Sequence, residues 1–375
     1  MGTLTAPETA RAPSGSAGLL RWRGLALGLL FVGAVAAGAQ PITRLAAMGD
    51  SLTDEYAEET YDYARSWTEL LVQERGISLG PTAAEAGQPG GTWGEPRRTG
   101  YEDNWARFGT TTDGAIADGQ HTGVAQGVAS RGVSHAVLFL GGNDFSPWAG
   151  AYDEIYDGTW GAAEIATWID GRLANFRTLL DEVTATGVPV VLLNIFDFSA
   201  MPFLQQGSFP DPVLRDRVTA ALFEIRVQAQ DLARRERLVY LDIFGFGRAI
   251  FGTNTAPRGT LMVGAVEIDL TASDSPGGGD PGAAWVDDGV HPNTVIQGLW
   301  ANAILSALNL AHGTAVPLFS EEEILTHAGL TYGGSDTLPT LVGDYHLYVT
   351  DFAGPFVFGD DFESGGTAAW SAVVP

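Results

Sequence analysis

Short apolar runs alternate with longer stretches whose apolar side chains recur every three or four residues. The runs are residues 42–48 (ITRLAAM), 135–140 (HAVLFL), 188–194 (VPVVLLN) and 238–243 (LVYLDI). HAVLFL and VPVVLLN are continuously apolar, as expected of strands buried on both faces. Between them lie helical patterns. Residues 63–74 space Trp67, Leu70 and Leu71 as a helix does, and residues 162–186 read as a helix stopped by Gly187. Residues 213–236 gather Val218, Leu222, Ile225 and Ala229 on one face. Residues 293–311 carry an apolar stripe of Ile296, Leu299, Trp300, Ala303, Ile304 and Leu308. Strand–helix alternation predicts an α/β fold with right-handed crossovers and a parallel sheet covered by helices. Residues 76–100 read as a Gly/Pro loop and residues 250–270 as an inserted hairpin. Residues 274–289 form an acidic, glycine-rich loop. Residues 314–375 follow the last core helix, with a short helix near 320–328 and an alternating run at 346–352.

In open parallel sheets, chemistry collects beyond the carboxyl ends of the strands. Three polar clusters follow predicted strands and are expected along one edge: Gly49-Asp50-Ser51, Gly141-Gly142-Asn143-Asp144, and Asn194-Ile195-Phe196-Asp197. Ser51 sits between a strand and a helical stretch, where a hydroxyl can serve as a nucleophile. The competing reading is a helix N-cap. The G-x-S-x-G pattern is not met, because Thr53 stands two residues after Ser51. A serine nucleophile needs a base oriented by a carboxylate. Two of the six histidines follow an aspartate by three residues, in Asp118–His121 and Asp288–His291, so spacing leaves both open. Context separates them. His291 precedes Pro292, which biases it to extended backbone and can open the 293–311 helix. His121 lies among glycines with no strong element beside it. His135 opens a strand, His312 ends a helix where a cation is favourable, and His327 and His346 lie beyond the core. Oxyanion donors are expected at Asn143 and at Gly109.

Composition narrows the classes. The chain has 375 residues and a net charge of −25, and all its basic residues are arginine. Such a chain repels nucleic acid and anionic membranes. It has no cysteine, which excludes disulfides and zinc–thiolate sites. Arg11, Arg21 and Arg23 lead into an apolar run at residues 24–37, followed by Ala37-Gly38-Ala39. This predicts a secretory signal over residues 1–39, removed before Gln40, with an uncleaved anchor as the rival. No later segment is expected to span a membrane, so the protein is expected to be exported to the periplasm, the cell surface or the medium.

Four blocks stand in order: GDS at 49–51, Gly109 after Asn104-Trp105-Ala106, GGND at 141–144, and DGVH at 288–291. Together they resemble the GDSL, or SGNH, hydrolases, over roughly residues 42–312. The resemblance implies a three-layer α/β/α, flavodoxin-like fold over residues 40–313, followed by an extension at 314–375. It implies Ser51 as nucleophile, His291 as base and Asp288 as its orienting partner. The implied oxyanion hole comprises the Ser51 and Gly109 N–H groups and the Asn143 side chain. The activity implied is ester hydrolysis through an acyl-enzyme, with no cofactor or metal, on a small-molecule or glycan ester. A carbohydrate O-deacetylase and a non-catalytic surface binding protein are the alternatives. For the deacetylase, Tyr56, Tyr61, Tyr63, Trp93, Trp105 and Trp148 are the candidates to line a sugar cleft. The acidic loop at 274–288 is read as solvated, with calcium binding as the rival. The tail at 358–371 has no assigned role.

Overall fold

The computed structural model describes residues 41–58, 61–94 and 99–354. The expected signal over residues 1–39 and the tail at 358–371 lie outside the described residues. Four strands stand side by side in chain order and run parallel: β1 (Leu45–Gly49), β2 (His135–Phe139), β3 (Val190–Leu193) and β4 (Val239–Leu241). Every residue of all four is buried, so neither face needs a polar residue, and the apolar runs follow from this. Helices Trp67–Arg75, Ala162–Thr184, Pro212–Glu236 and Thr294–His312 lie within a few residues of the expected spans. Two further helices, Thr112–Ala117 and Gln120–Arg131, fall where the sequence pattern predicts no element, because glycines at 114, 119, 123 and 127 dilute their apolar stripe.

The central sheet is not purely parallel, which corrects the expectation. A fifth strand, Val349–Asp351, pairs antiparallel with β4. It comes from the segment after the last core helix and covers an edge whose N–H and C=O groups would otherwise be unpaired. Other contacts hold that segment to the core. The buried Asn302 amide donates to Phe319 O at 2.8 Å and accepts the Phe319 N–H at 2.6 Å. The Glu321 carboxylate takes the N–H groups of Gly264, Thr337 and Leu338. The Thr294–His312 helix is long and apolar enough to cross a membrane, contrary to the expectation for segments beyond residue 39, but 83% of its apolar window is buried. It is the core helix, with Trp300 edge-on to Phe139 and Phe196 at 5.4 Å each.

The expected hairpin is present as Thr260–Val263 against Val266–Ser273, and Ala283–Trp285 extends it. On the other side of β1, residues 103–107 run alongside as an irregular edge. Ala47 N–H donates to Asp103 O, Trp105 N–H to Ala47 O and Arg107 N–H to Gly49 O, at 2.8–3.2 Å. This run carries Gly109 toward the end of β1.

A chain ending at Gly313 would leave the β4 edge and the Asn302 amide uncovered. It is expected to melt about 10 °C or more below the full chain, or to aggregate. Equal melting temperatures by circular dichroism would show that the C-terminal segment is dispensable for the fold.

Candidate active site

β1 ends at Gly49, whose position is set from three sides. The buried Gln120 side chain accepts the Gly49 N–H at 2.9 Å and donates to its carbonyl at 3.0 Å. A Cβ on Gly49 would lie 2.6 Å from Phe139 O, a backbone atom that no side-chain rotation can move away. The chain then turns sharply. Asp50 O accepts the N–H groups of Thr53 and Asp54, both at 3.0 Å, and Asp50 Oδ1 accepts that of Leu52 at 3.1 Å. No α-helix begins at this turn; the next one starts at Trp67 and is capped by Ser66 with Glu69. The cap reading of Ser51 is therefore not what the turn shows. Among the described residues no group hydrogen-bonds the Ser51 hydroxyl or its backbone N–H.

The Asp288–His291 loop faces the same cavity. His291 Nδ1 lies 2.5 Å from Asp288 Oδ2, which leaves Nε2 as the free ring nitrogen. Asp288 Oδ1 accepts the N–H groups of Val290 at 2.7 Å and His291 at 3.0 Å. Burial pushes the Asp288 carboxyl up, but these bonds and the imidazole beside it outweigh burial and hold it below the usual carboxylate range. A fourth group joins: the Tyr61 hydroxyl donates to Asp288 Oδ2 at 2.9 Å. The Tyr56, Tyr61 and Phe108 rings surround His291 at 5.0–6.3 Å. Behind the loop, Asn293 caps the core helix and donates to Asp274 Oδ2 at 3.1 Å.

Asn143 stands on a short 3-10 turn just past β2. Its Nδ2 donates to Thr110 O at 3.0 Å and its Oδ1 accepts Trp148 Nε1–H at 2.7 Å. The amide is thereby oriented, and its second N–H is unspent. The neighbouring Asp144 is a buried anchor. It accepts the Thr112 N–H and hydroxyl at 2.9 and 2.8 Å and Arg172 Nη1 at 2.8 Å. Gly109 sits at φ +73°, a backbone region that favours glycine, and among the described residues nothing accepts its N–H. Asp54 Oδ2 holds the adjacent Phe108 N–H at 3.0 Å. A free hydroxyl, an imidazole oriented by a carboxylate, and unspent N–H donors are what acyl transfer requires.

Among the described residues, two spaces meet at Ser51. An inner pocket of about 20 Å³ is walled by Leu52, Phe196, Phe198, Met201 and Val290. An outer cleft of about 300 Å³ is bounded by Phe108, Gly109, Trp148 and Phe203. Ser51, Asn143, Trp148, Val290 and His291 border both. Asp50 lines the inner pocket, and burial lifts its carboxyl to about 7.

Sequence patterning missed Gln120, Asp54, Phe108 and Phe203, and named Tyr61 as a sugar-cleft aromatic rather than as the partner of Asp288. Gln120, Tyr61 and Asp54 act through contacts across the fold, and Phe108 and Phe203 carry no motif. Of the six aromatics expected to line a sugar cleft, only Trp148 borders either space. Tyr56 is fully buried and donates to Pro292 O at 2.8 Å, Tyr63 donates to Asp287, and Trp93 donates to Gly100 O. Trp105 packs against the core. The Asn194–Asp197 cluster adds only Phe196 to the pocket, because Asn194 bonds to Asp242 and Phe244 N–H, and Asp197 bonds to Ser199, Thr219 and Arg248.

The other histidines are elsewhere. His121 is on the Gln120–Arg131 helix, 3.3 Å from Glu182 rather than beside an open loop. His135 and His312 face each other at 5.4 Å, and burial lowers both, so His312 is not the helix-end cation expected. His327 meets Glu74, and His346 meets Ser306. In the acidic loop, Asp274 accepts the N–H groups of Ser275 and Asp280. Among the described residues, the one group of three carboxylates with oxygens within 4.8 Å lies outside that loop, at Asp54, Glu55 and Glu58.

The profile of the GDSL-like lipase/acylhydrolase family matches residues 45–304. No protein among the curated sequences matches the chain. Several solved structures are similar. A GDSL-like lipase from Bacteroides thetaiotaomicron is 14% identical, with 74% of this chain and 93% of that one covered at a TM-score of 0.39. The psychrotrophic esterase EstA of a Pseudoalteromonas species is also 14% identical, with 72% and 97% covered and a TM-score of 0.34. TesA is 16% identical, with 71% and 98% covered and a TM-score of 0.35. With its sequence matched across most of its length and Ser51, Asn143 and His291 bordering one cavity, the chain belongs to the GDSL-like lipase/acylhydrolase family.

Proposed function

We propose that the chain hydrolyses carboxylic esters through an acyl-enzyme on Ser51. The observation that carries this is the 2.5 Å Asp288–His291 pair on the wall of the outer cleft that Ser51 also borders. His291 Nε2 takes the Ser51 proton as Oγ attacks the ester carbonyl. The Ser51 N–H, the Gly109 N–H and Asn143 Nδ2 receive the developing oxyanion. His291 returns the proton to the leaving alcohol, and water then repeats the cycle on the acyl-enzyme. Asp288 holds the ring and balances the imidazolium, and Tyr61 steadies Asp288. Asp50 adds a condition. Its carboxyl, lifted by burial, is largely neutral below about pH 7 and does not repel the oxyanion there. Export is part of the proposal and is supported by the arginine-led apolar segment within residues 1–39.

Ser51→Ala and His291→Ala are each expected to lower kcat by about 10³-fold or more while the melting temperature stays close to native. His121→Ala should keep most of the activity. A fluorophosphonate probe should label the native chain and not Ser51→Ala; labelling of both would remove Ser51 from the mechanism.

Tyr61→Phe removes one hydrogen bond to an ionised carboxylate. A roughly tenfold fall in kcat/KM is expected. With one donor fewer, Asp288 holds the protonated His291 ring more tightly, so the acid limb of kcat/KM, which follows protonation of that base, should move upward. An unmoved limb in the pH–rate profile would reduce Tyr61 to packing.

Asp50 gives a stability test. Its folded-state value of about 7 exceeds the ordinary 3.8, so between these values the folded chain keeps a proton that the unfolded chain has lost. That contribution is full at low pH and fades as pH rises through about 7. The melting temperature of Asp50→Asn minus that of the native chain should therefore grow from about pH 5 to about pH 8. A difference that stays flat with pH would mean that Asp50 is ionised throughout.

A further inference from the structure

We propose that the inner pocket is an acetyl site and the outer cleft an alcohol site, so that the substrates are acetate esters of bulky, uncharged alcohols. This rests on the Ser51 reading above and goes further by naming the substrate class.

Attack by Ser51 breaks the bond between the ester carbonyl carbon and the alcohol oxygen. The acyl group stays on Oγ, and the alcohol leaves with the proton carried by His291. Water then releases acetate and restores the Ser51 hydroxyl. Each half of the substrate needs its own space beside Ser51, and two are present. The cleft is open and is bordered by both Asp288 and His291, so the proton reaches an alcohol held there. Its volume of about 300 Å³ is that of a ligand site. The inner pocket, at about 20 Å³, has room for little more than one water molecule, which is close to the size of a methyl group.

The pocket walls are fixed by packing. Phe196 stands 5.9 Å from Phe198 and 5.4 Å from Trp300, both edge-on. The Met201 N–H is bonded to Phe198 O at 3.0 Å, and the Leu52 N–H to Asp50. A longer acyl chain would have to displace the Met201 or Leu52 side chain or a packed aromatic. The cleft presents a different surface. Trp148 and Phe203 are 48% and 45% exposed and meet edge to face at 5.7 Å, with Phe108 also on its border. Such ring faces suit a flat apolar surface, either an aryl ring or the C–H face of a sugar. Among the described residues no arginine borders the cleft and Asp288 does, so an anionic alcohol is disfavoured.

The test is steady-state hydrolysis of p-nitrophenyl acetate, butyrate and octanoate, with a second series of two pairs matched in leaving group: phenyl and 1-naphthyl acetate, and ethyl acetate and an acetylated methyl glycoside. For the native chain, kcat/KM for acetate should exceed that for butyrate by about tenfold or more. Met201→Ala should raise the butyrate-to-acetate ratio about tenfold, and Phe198→Leu serves the same purpose if that variant does not fold. 1-Naphthyl acetate should exceed phenyl acetate, or the glycoside acetate should exceed ethyl acetate, and Phe203→Ala should reduce that advantage. Butyrate or octanoate cleaved as fast as acetate in a Ser51-dependent reaction would overturn the acetyl site and leave the Ser51 mechanism intact. No cleavage of any ester, with no fluorophosphonate labelling, would overturn the mechanism itself. Neither bulky acetate exceeding its small matched partner would overturn the alcohol site.

Discussion

The end of β1 depends on a peptide group gripped by a side-chain amide. Gln120 bonds both the N–H and the carbonyl of Gly49, as a neighbouring strand would. The absence of a Cβ lets Phe139 O approach the same residue. Arg107 N–H also reaches the Gly49 carbonyl, but without Gln120 the Gly49 N–H would be left unsatisfied in the core. With this partner, β1 can stop at a defined residue and turn at once. Asp50, Leu52 and Thr53 close the turn, and Ser51 is left with its hydroxyl free at the cavity.

The remaining site groups are tied to that turn by bonds between distant segments. Asp54 holds the Phe108 N–H next to Gly109, and Asn104 Nδ2 donates to Thr53 O at 3.0 Å. Thr110 O takes the Asn143 amide, and Asp144 takes Thr112 and Arg172. The site is thus a polar mesh in a dry setting, where satisfied bonds are strong and a missing one is expensive. Burial is also what raises Asp50 and Asp144, although Thr112 and Arg172 counter it at Asp144. On the far side, Tyr61 and Tyr63 reach Asp288 and Asp287, so one short segment clamps the histidine loop.

The sheet gives this mesh a rigid floor. Its buried parallel strands aim three turns at one edge, and two of these turns supply Ser51 and Asn143. His291 arrives separately, on a loop fixed by the cap of the core helix and by Asp274. The antiparallel strand at the opposite edge of the sheet contributes nothing to the cavity. Its role is to close β4, which keeps the support of the site from fraying.

Much was legible from residue order alone. The apolar runs identified the four parallel strands because both faces are buried and alternation is absent. The long amphipathic helices were legible from period, and Ser51, Asn143 and His291 from polar residues placed just past strands or before a proline-led helix. Period could not reveal the Gln120–Arg131 helix, where glycine replaces part of the stripe. Nor could it reveal the antiparallel edge, because direction depends on the end from which a strand enters. The roles of Tyr61, Gln120 and Asp54 were illegible because their partners are far away in the chain: Asp288 is 227 residues from Tyr61, and Gly49 is 71 residues from Gln120. Local sequence determined which elements form and which polar groups end them. Only the tertiary structure decided which of those groups meet and how much room they leave, because hydrogen-bond partners and cavity walls are chosen by packing between segments that no local pattern couples.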